Sequence, residues 1–231
     1  MLGYFLDKVI FPAPKPEYLT YSKLKAHEVR LNGLQGWRIE NPQGMDVGVY
    51  FGGNAEDVSL TADLFSNFGF RVSYLFNYRG YGLSEGKPSQ RALYEDGLMI
   101  HDHAGADGIP VIVGRSLGAS VAAYVSAHRA TKRVVLVTPF QSMTSLVREK
   151  APLLHYFLRN RFPSDQYART NQTPMLMVMA ENDTLIPNRQ THALFRIWQG
   201  PKEYKVIRNA GHNDLHRRPE YVEAIRQFIK P

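Results

Sequence analysis

One serine in this chain sits where its hydroxyl can be made reactive. Gly114-Arg115-Ser116-Leu117-Gly118 directly follows the apolar run Val111-Ile112-Val113, and a small-residue stretch begins straight after it. A strand, a sharp turn and a helix in immediate succession force the turn serine into a strained backbone conformation that lifts its side chain above a sheet. The flanking glycines are needed because side chains there would collide across the turn. A Gly-x-Ser-x-Gly match alone arises by chance in about one chain of this length in ten. The alternative reading is an ordinary strand-to-helix turn with an incidental serine. The strand before and the helix after favour a nucleophile.

A serine hydroxyl is a poor nucleophile until a base takes its proton. Of the eight histidines, only His212 and His216 fall in a loop after the last strand-like run, Tyr204 to Ile207. His212 lies in Asn209-Ala210-Gly211-His212-Asn213-Asp214, read as a flexible polar turn, and His216 is the reserve candidate. The base needs an orienting carboxylate. Asp183, in Glu181-Asn182-Asp183 after the run Met175 to Met179, is the first choice. Glu181 is the alternative acid, and the plainer role for Asp183 is a cap or turn ahead of a helix over 188–199. Acyl transfer also needs donors for the developing oxyanion. One is the N–H of Leu117. The second comes from Gly52-Gly53-Asn54, with Asn54 preferred over Gly53; a plain glycine turn is the competing reading. The order along the chain is nucleophile, acid, base. This chemistry needs no metal and no organic cofactor.

These residues must be positioned by a scaffold, and the pattern supplies one. Residues 27–31 and 34–40 read as strands joined by an Asn32-Gly33 hairpin turn. Val47 to Phe51, Val72 to Phe76, Pro110 to Val113, Arg133 to Val137, Met175 to Met179 and Tyr204 to Ile207 read as further strands. Helical spacing covers 55–68, 89–104, 117–129, 142–160 with a break near Pro152, 188–199 and 219–229. Short, uniformly apolar strands alternating with helices imply a mostly parallel sheet covered on both faces, with the two early strands as an antiparallel edge. Sites in such sheets gather at the carboxyl ends of the strands. The serine, the aspartate, the histidine and Gly52-Gly53-Asn54 all follow strand ends.

Composition bounds the rest. The 231 residues are 44% apolar, enough for a sizeable core. No linker is marked, so residues 27–231 read as a single domain with 1–26 as an extension packed on it. There is no cysteine, which removes disulfides, thiolate metal sites and cysteine nucleophiles and suits a reducing, cytoplasmic setting. The formal charge is +7, but Lys and Arg are scattered rather than clustered. The expectation is therefore a basic enzyme that does not bind nucleic acid. The apolar start is interrupted by Asp7 and Lys8 and stopped by Pro12, so it reads as a short amphipathic helix rather than a membrane span or secretory signal. Weak membrane contact through Tyr4, Phe5, Val9 and Phe11 is the sharper alternative.

A resemblance joins these pieces. Phe51-Gly52-Gly53-Asn54-Ala55, the loop Asn77-Tyr78-Arg79-Gly80-Tyr81-Gly82-Leu83-Ser84-Glu85-Gly86, Gly114-Arg115-Ser116-Leu117-Gly118, Ala180-Glu181-Asn182-Asp183 and Gly211-His212-Asn213-Asp214 occur in that order. Together, over about residues 45–230, they resemble the small α/β-hydrolase-domain proteins. That group includes eukaryotic protein depalmitoylases and many bacterial paralogues. The resemblance implies an α/β-hydrolase fold with a minimal lid, since only about 35 residues separate the strands at 133–137 and 175–179. The apolar segment 153–158 would partly roof the site, or simply pack on the domain. The implied activity is hydrolysis of a small-molecule or lipid-like acyl substrate. Small or medium carboxyl esters come first, and thioesters or lysophospholipids second. A fold that has lost its activity and only binds is the alternative of another class. Three departures stand out: Gly52 where many members have histidine, Gln141 where an aspartate after Pro-Phe is frequent, and no membrane span or cysteine-rich tail.

His101-Asp102-His103 with Asp107 hints at a metal site. On a helix, i and i+2 side chains diverge by about 200°, so His101 and His103 would not share an ion. The cluster reads as a solvated helix end.

Overall fold

Along the buried stretch of each central strand the side chains are mostly apolar, and the structure shows where both sets go. In β3 (Met45–Phe51) the side chains of Val47, Val49 and Phe51 join one buried cluster while Tyr50 joins another. The same alternation splits Ile112 from Val111 and Val113 in β5 (Pro110–Arg115). It also splits Val134 and Leu136 from Val135 and Val137 in β6 (Arg133–Val137), and the methionines of β7 (Met175–Ala180) from Leu176 and Val178. With a side-chain period of two, such strands are buried only when helices cover both faces.

The computed structural model describes residues 9–230. Its sheet has eight strands in the order β1-β2-β4-β3-β5-β6-β7-β8, with β1 at Glu28–Leu31, β2 at Leu34–Glu40, β4 at Phe70–Phe76 and β8 at Lys202–Ile207. β1 and β2 form the expected hairpin; β2 lies antiparallel to β4, and every other pairing is parallel. One face is covered by α3 (Gln90–Ala104), α4 (Leu117–His128) and α7 (Asn188–Ile197) through Leu93, Val121 and Leu194. The other is covered by α2 (Ala62–Ser66) and α8 (Pro219–Ile229) through Phe65 and Ile225. The chain leaves β3 toward β4 on one side and later enters β5 on the other. The loops after β3 and β5 therefore part, and the crevice between them is where such folds bind ligands.

Some expected elements come out shorter. Within 55–68 only a 3-10 turn at Val58–Thr61 and α2 form. The Asp57 carboxylate accepts the Ser59 N–H and starts the turn late, and Gly69 at φ +89° ends the run. Within 142–160, α5 spans Met143–Lys150 and a 3-10 turn covers Leu154–Phe157. Pro152 disfavours helix at the residue before it. Two short helices, α1 (Tyr18–Lys23) and α6 (Ser164–Ala168), were not expected. In α1, Tyr21 packs on Trp37 with ring centroids 5.3 Å apart. Of the residues proposed for membrane contact, Tyr4 and Phe5 lie outside the described residues. Val9 is exposed, and Phe11 is buried edge-on to Phe162. Among the described residues no helix is long and apolar enough to cross a membrane.

Candidate active site

β5 runs into α4 with one residue between them, and that residue is Ser116. Its backbone lies at φ 53°, ψ −113°, a region that costs a non-glycine residue energy and persists only when its surroundings impose it. The Ser116 N–H donates to the Val137 carbonyl at 2.8 Å, which pins the turn to the end of β6. The glycines make the turn possible by close approach. A Cβ on Gly118 would stand 2.0 Å from the Phe51 carbonyl oxygen, and one on Gly114 would stand 2.4 Å from the Gly118 oxygen.

Two loops converge above this turn. Ser116 Oγ is 3.1 Å from His212 Nε2, and His212 Nδ1 is 2.8 Å from Asp183 Oδ2. A carboxylate only accepts, so Nδ1 carries the ring proton and the Nε2 lone pair faces the serine. The other oxygen, Asp183 Oδ1, accepts the N–H groups of Leu185 and Ile186 at 2.9 and 2.8 Å. Ser116 is 8% exposed and His212 6% exposed, and the Asp183 side chain is 1% exposed. The reserve candidates sit elsewhere. Glu181 Oε2 accepts the Asn209 N–H at 2.8 Å, tying down the start of the histidine loop. His216 makes no hydrogen bond to Ser116. Burial, then Arg115 and Arg217, push its pKa below the usual histidine value.

No family model matches the chain. It is 30% identical over 214 residues to an uncharacterized protein of Mycobacterium tuberculosis, covering 85% of this chain and 74% of that one. It is 28% identical over 185 residues to human alpha/beta hydrolase domain-containing protein 17B, covering 77% of this chain but 64% of that protein's length. A solved α/β-hydrolase from Vibrio vulnificus superposes with a TM-score of 0.80 at 18% identity, covering 97% of this chain and 92% of that one. The chain belongs to the α/β-hydrolase superfamily.

In this α/β-hydrolase the loop after β3 faces the Ser116 turn, and one expectation there is corrected. The Gly53 N–H is not free for a ligand, because it donates to Glu56 Oε2 at 2.6 Å. The N–H groups of Asn54 and Leu117 make no hydrogen bond among the described residues. The loop is held from behind by the 77–86 segment. Tyr78 Oη donates to the Gly52 carbonyl at 3.0 Å and Tyr81 Oη to Asn54 Oδ1 at 2.9 Å. Gly52 itself is hemmed in: a Cβ there would meet a Val58 methyl at 2.6 Å.

Sequence reasoning missed Glu56 and Arg115. Arg115 Nη1 donates to Glu56 Oε2 at 2.9 Å, and its Nη2 donates to the His212 carbonyl at 3.2 Å and to Asn213 Oδ1 at 3.0 Å. Glu56 Oε1 accepts the hydroxyls of Tyr50 and Thr61 at 2.7 and 2.8 Å. The signal was present but unread: an arginine inside an otherwise apolar strand-to-turn segment needs a buried acid. The histidine loop is also not the flexible turn expected from its composition. Asp214 Oδ1 accepts the Gly211 N–H at 2.6 Å, and Arg115 holds its centre.

The His101 cluster is not wholly a solvated helix end: His101 is buried, with its Nδ1 3.7 Å from Asp102 Oδ1, and the carboxylates pair mainly with other residues. Asp102 pairs with Arg129, Asp107 with Arg38 and Tyr74, and His103 stacks edge-on to Tyr74. Among the described residues no group of three or more His, Cys, Asp or Glu could hold a metal ion.

Proposed function

We propose that this α/β-hydrolase is a serine hydrolase that cleaves carboxyl esters of small or medium acyl chains through an acyl-enzyme. One observation carries the reading: the continuous chain of hydrogen bonds from Ser116 Oγ through His212 to Asp183. His212 Nε2 takes the Ser116 proton as Oγ attacks the acyl carbonyl carbon. Asp183 steadies the imidazolium that forms. The oxyanion is held by the N–H groups of Leu117 and Asn54, the first at the positive end of α4. The imidazolium then protonates the departing alcohol. Water, deprotonated by the same imidazole, attacks the ester of Ser116 and releases the acid.

A second reading, a lipid-like substrate presented as a thioester or lysophospholipid, draws on one further observation. Lys150 Nζ donates to the Leu185 carbonyl, so the end of α5 abuts the Asp183 loop. The segment that follows it leaves Leu153, Leu154, Tyr156 and Phe157 exposed. Such side chains suit contact with a long acyl chain.

The test is a p-nitrophenyl ester series of rising chain length, run beside an acyl-thioester, on wild type and Ser116→Ala. Turnover should fall by at least about 10³-fold in the variant, with short esters preferred. Equal turnover in both proteins removes the reading. A wild type that neither turns over nor labels with a fluorophosphonate leaves a fold that only binds.

A further inference from the structure

The serine with its Leu117 donor, the base and the Asn54 donor come from separate loops, and something must fix the loops relative to one another. The Glu56–Arg115 pair touches all of them. Arg115 is the residue before Ser116, so its backbone belongs to the nucleophile turn. Its guanidinium reaches forward to the histidine loop at the His212 carbonyl and Asn213, and sideways to Glu56. Glu56 in turn grips the Gly53 N–H, one residue before the Asn54 donor. Both side chains are largely buried, at 17% and 12% exposure. All four acceptor positions of the carboxylate are filled, by Arg115, Gly53, Tyr50 and Thr61.

Burying two charges is not an economical way to stabilise a fold, since an apolar pair of the same volume often does as well. What an apolar pair does not supply is directional contact from the nucleophile turn to two other loops at once. The planar guanidinium fork does, because its donors point in fixed directions. The contact to a backbone carbonyl is informative too: it holds the histidine residue itself, not a neighbour, at a set height above Ser116.

We infer that Arg115, clamped by Glu56, is a positioning residue that sets the oxyanion loop and the His212 loop in register with Ser116. This rests on the serine-hydrolase reading. Arg115 touches no reacting atom. It acts through His212 and Gly53, so its loss lowers kcat far more than it raises KM. A misplacement of about 1 Å at a reacting group costs on the order of 100-fold in rate.

The experiment is steady-state hydrolysis of p-nitrophenyl acetate, with thermal unfolding in parallel, on wild type, Ser116→Ala, Arg115→Met, Arg115→Lys and the double variant Glu56→Gln/Arg115→Met. Arg115→Met is expected to lower kcat by about 10- to 100-fold with KM within about 3-fold. Arg115→Lys keeps the charge on Glu56 but not the fork, and should recover part of that loss. The double variant removes both charges, so it should regain the melting temperature of the wild type without regaining kcat. This combination separates positioning from stability, and the lysine and double variants decide the matter even where Arg115→Met does not fold. Wild-type kcat in Arg115→Met, or full recovery of kcat in the double variant, overturns the inference and leaves the serine-hydrolase reading intact. Absence of Ser116-dependent turnover in the wild type overturns both.

Discussion

Asp183 and Glu56 stand after different strands, β7 and β3, and are built alike. Each is a buried carboxylate at the carboxyl edge of the sheet. Each accepts backbone N–H groups from its own loop, Leu185 and Ile186 for Asp183 and Gly53 for Glu56. Each holds one nitrogen-bearing side chain from elsewhere in the chain. The difference lies in that partner. His212 is an imidazole that can take a proton and give it back. Arg115 is charged at every accessible pH and can do neither. The same local device therefore serves two ends: one link is able to move a proton, and the other only fixes geometry. Electrostatics alone does not tell them apart, whereas the chemistry of the partner does.

The largest way to break the comparison is Asp183→Asn. The asparagine oxygen can still accept the Leu185 and Ile186 N–H groups, so the loop should survive and the melting temperature should change little. Its amide would donate toward His212 Nδ1 and force the wrong tautomer. We expect kcat to fall by about 10³- to 10⁴-fold. A loss smaller than 10-fold would show that His212 does not depend on this acid.

Glu56→Gln should do the reverse, with a modest rate loss of about 10-fold and a larger stability loss. It leaves Arg115 buried without its counter-ion, which costs about 3 kcal/mol and lowers the melting temperature by roughly 6–12 °C. The pH dependence follows from the same pair. Burial works to raise the Glu56 pKa, but Arg115, Gly53, Tyr50 and Thr61 together hold it below its ordinary 4.5. A carboxyl depressed in the folded state is protonated first in the unfolded chain. Its contribution is thus present above about pH 4.5 and is lost as the pH falls through the folded-state value. The stability gap between wild type and Glu56→Gln, read from urea midpoints, should narrow on acidification below that point. A gap that stays constant down to about pH 3 contradicts a Glu56 kept ionised by Arg115.

The link that we propose moves a proton was legible in the sequence, and the one inferred to fix geometry was not. Ser116, Asp183 and His212 each follow an apolar run that ends in a turn, so the strand pattern brought them to one edge before any contact was known. The parallel core and its antiparallel hairpin edge were readable for the same reason: a period of two with both sets apolar has few solutions. Arg115 does stand out as a charge in an apolar segment, but nothing local marks Glu56 as its partner. Their meeting depends on β3 lying beside β5, a pairing that the order of elements does not announce. The assignment of Gly53 as a donor failed on this point, because a carboxylate three residues away competes for the same N–H. The short helices α1 and α6 were missed because five or six residues do not display a 3.6-residue period. The region 55–68 was overread because Asp57 caps a later, tighter turn.

The finest test of the comparison lies two residues before Asp183. Glu181 shares the loop and the charge, and it too accepts a backbone N–H, that of Asn209. It is exposed where the Asp183 side chain is buried, and it has no side-chain partner in the site. In Glu181→Gln the amide oxygen can still accept from Asn209, so the histidine loop keeps its anchor. We expect kcat to stay within about 2-fold of wild type and stability to change by less than about 0.5 kcal/mol. Proximity and charge would then count for little beside the direction in which each carboxylate points. If Glu181→Gln instead loses as much activity as Asp183→Asn, the loop rearranges in the working enzyme and the orienting acid is shared.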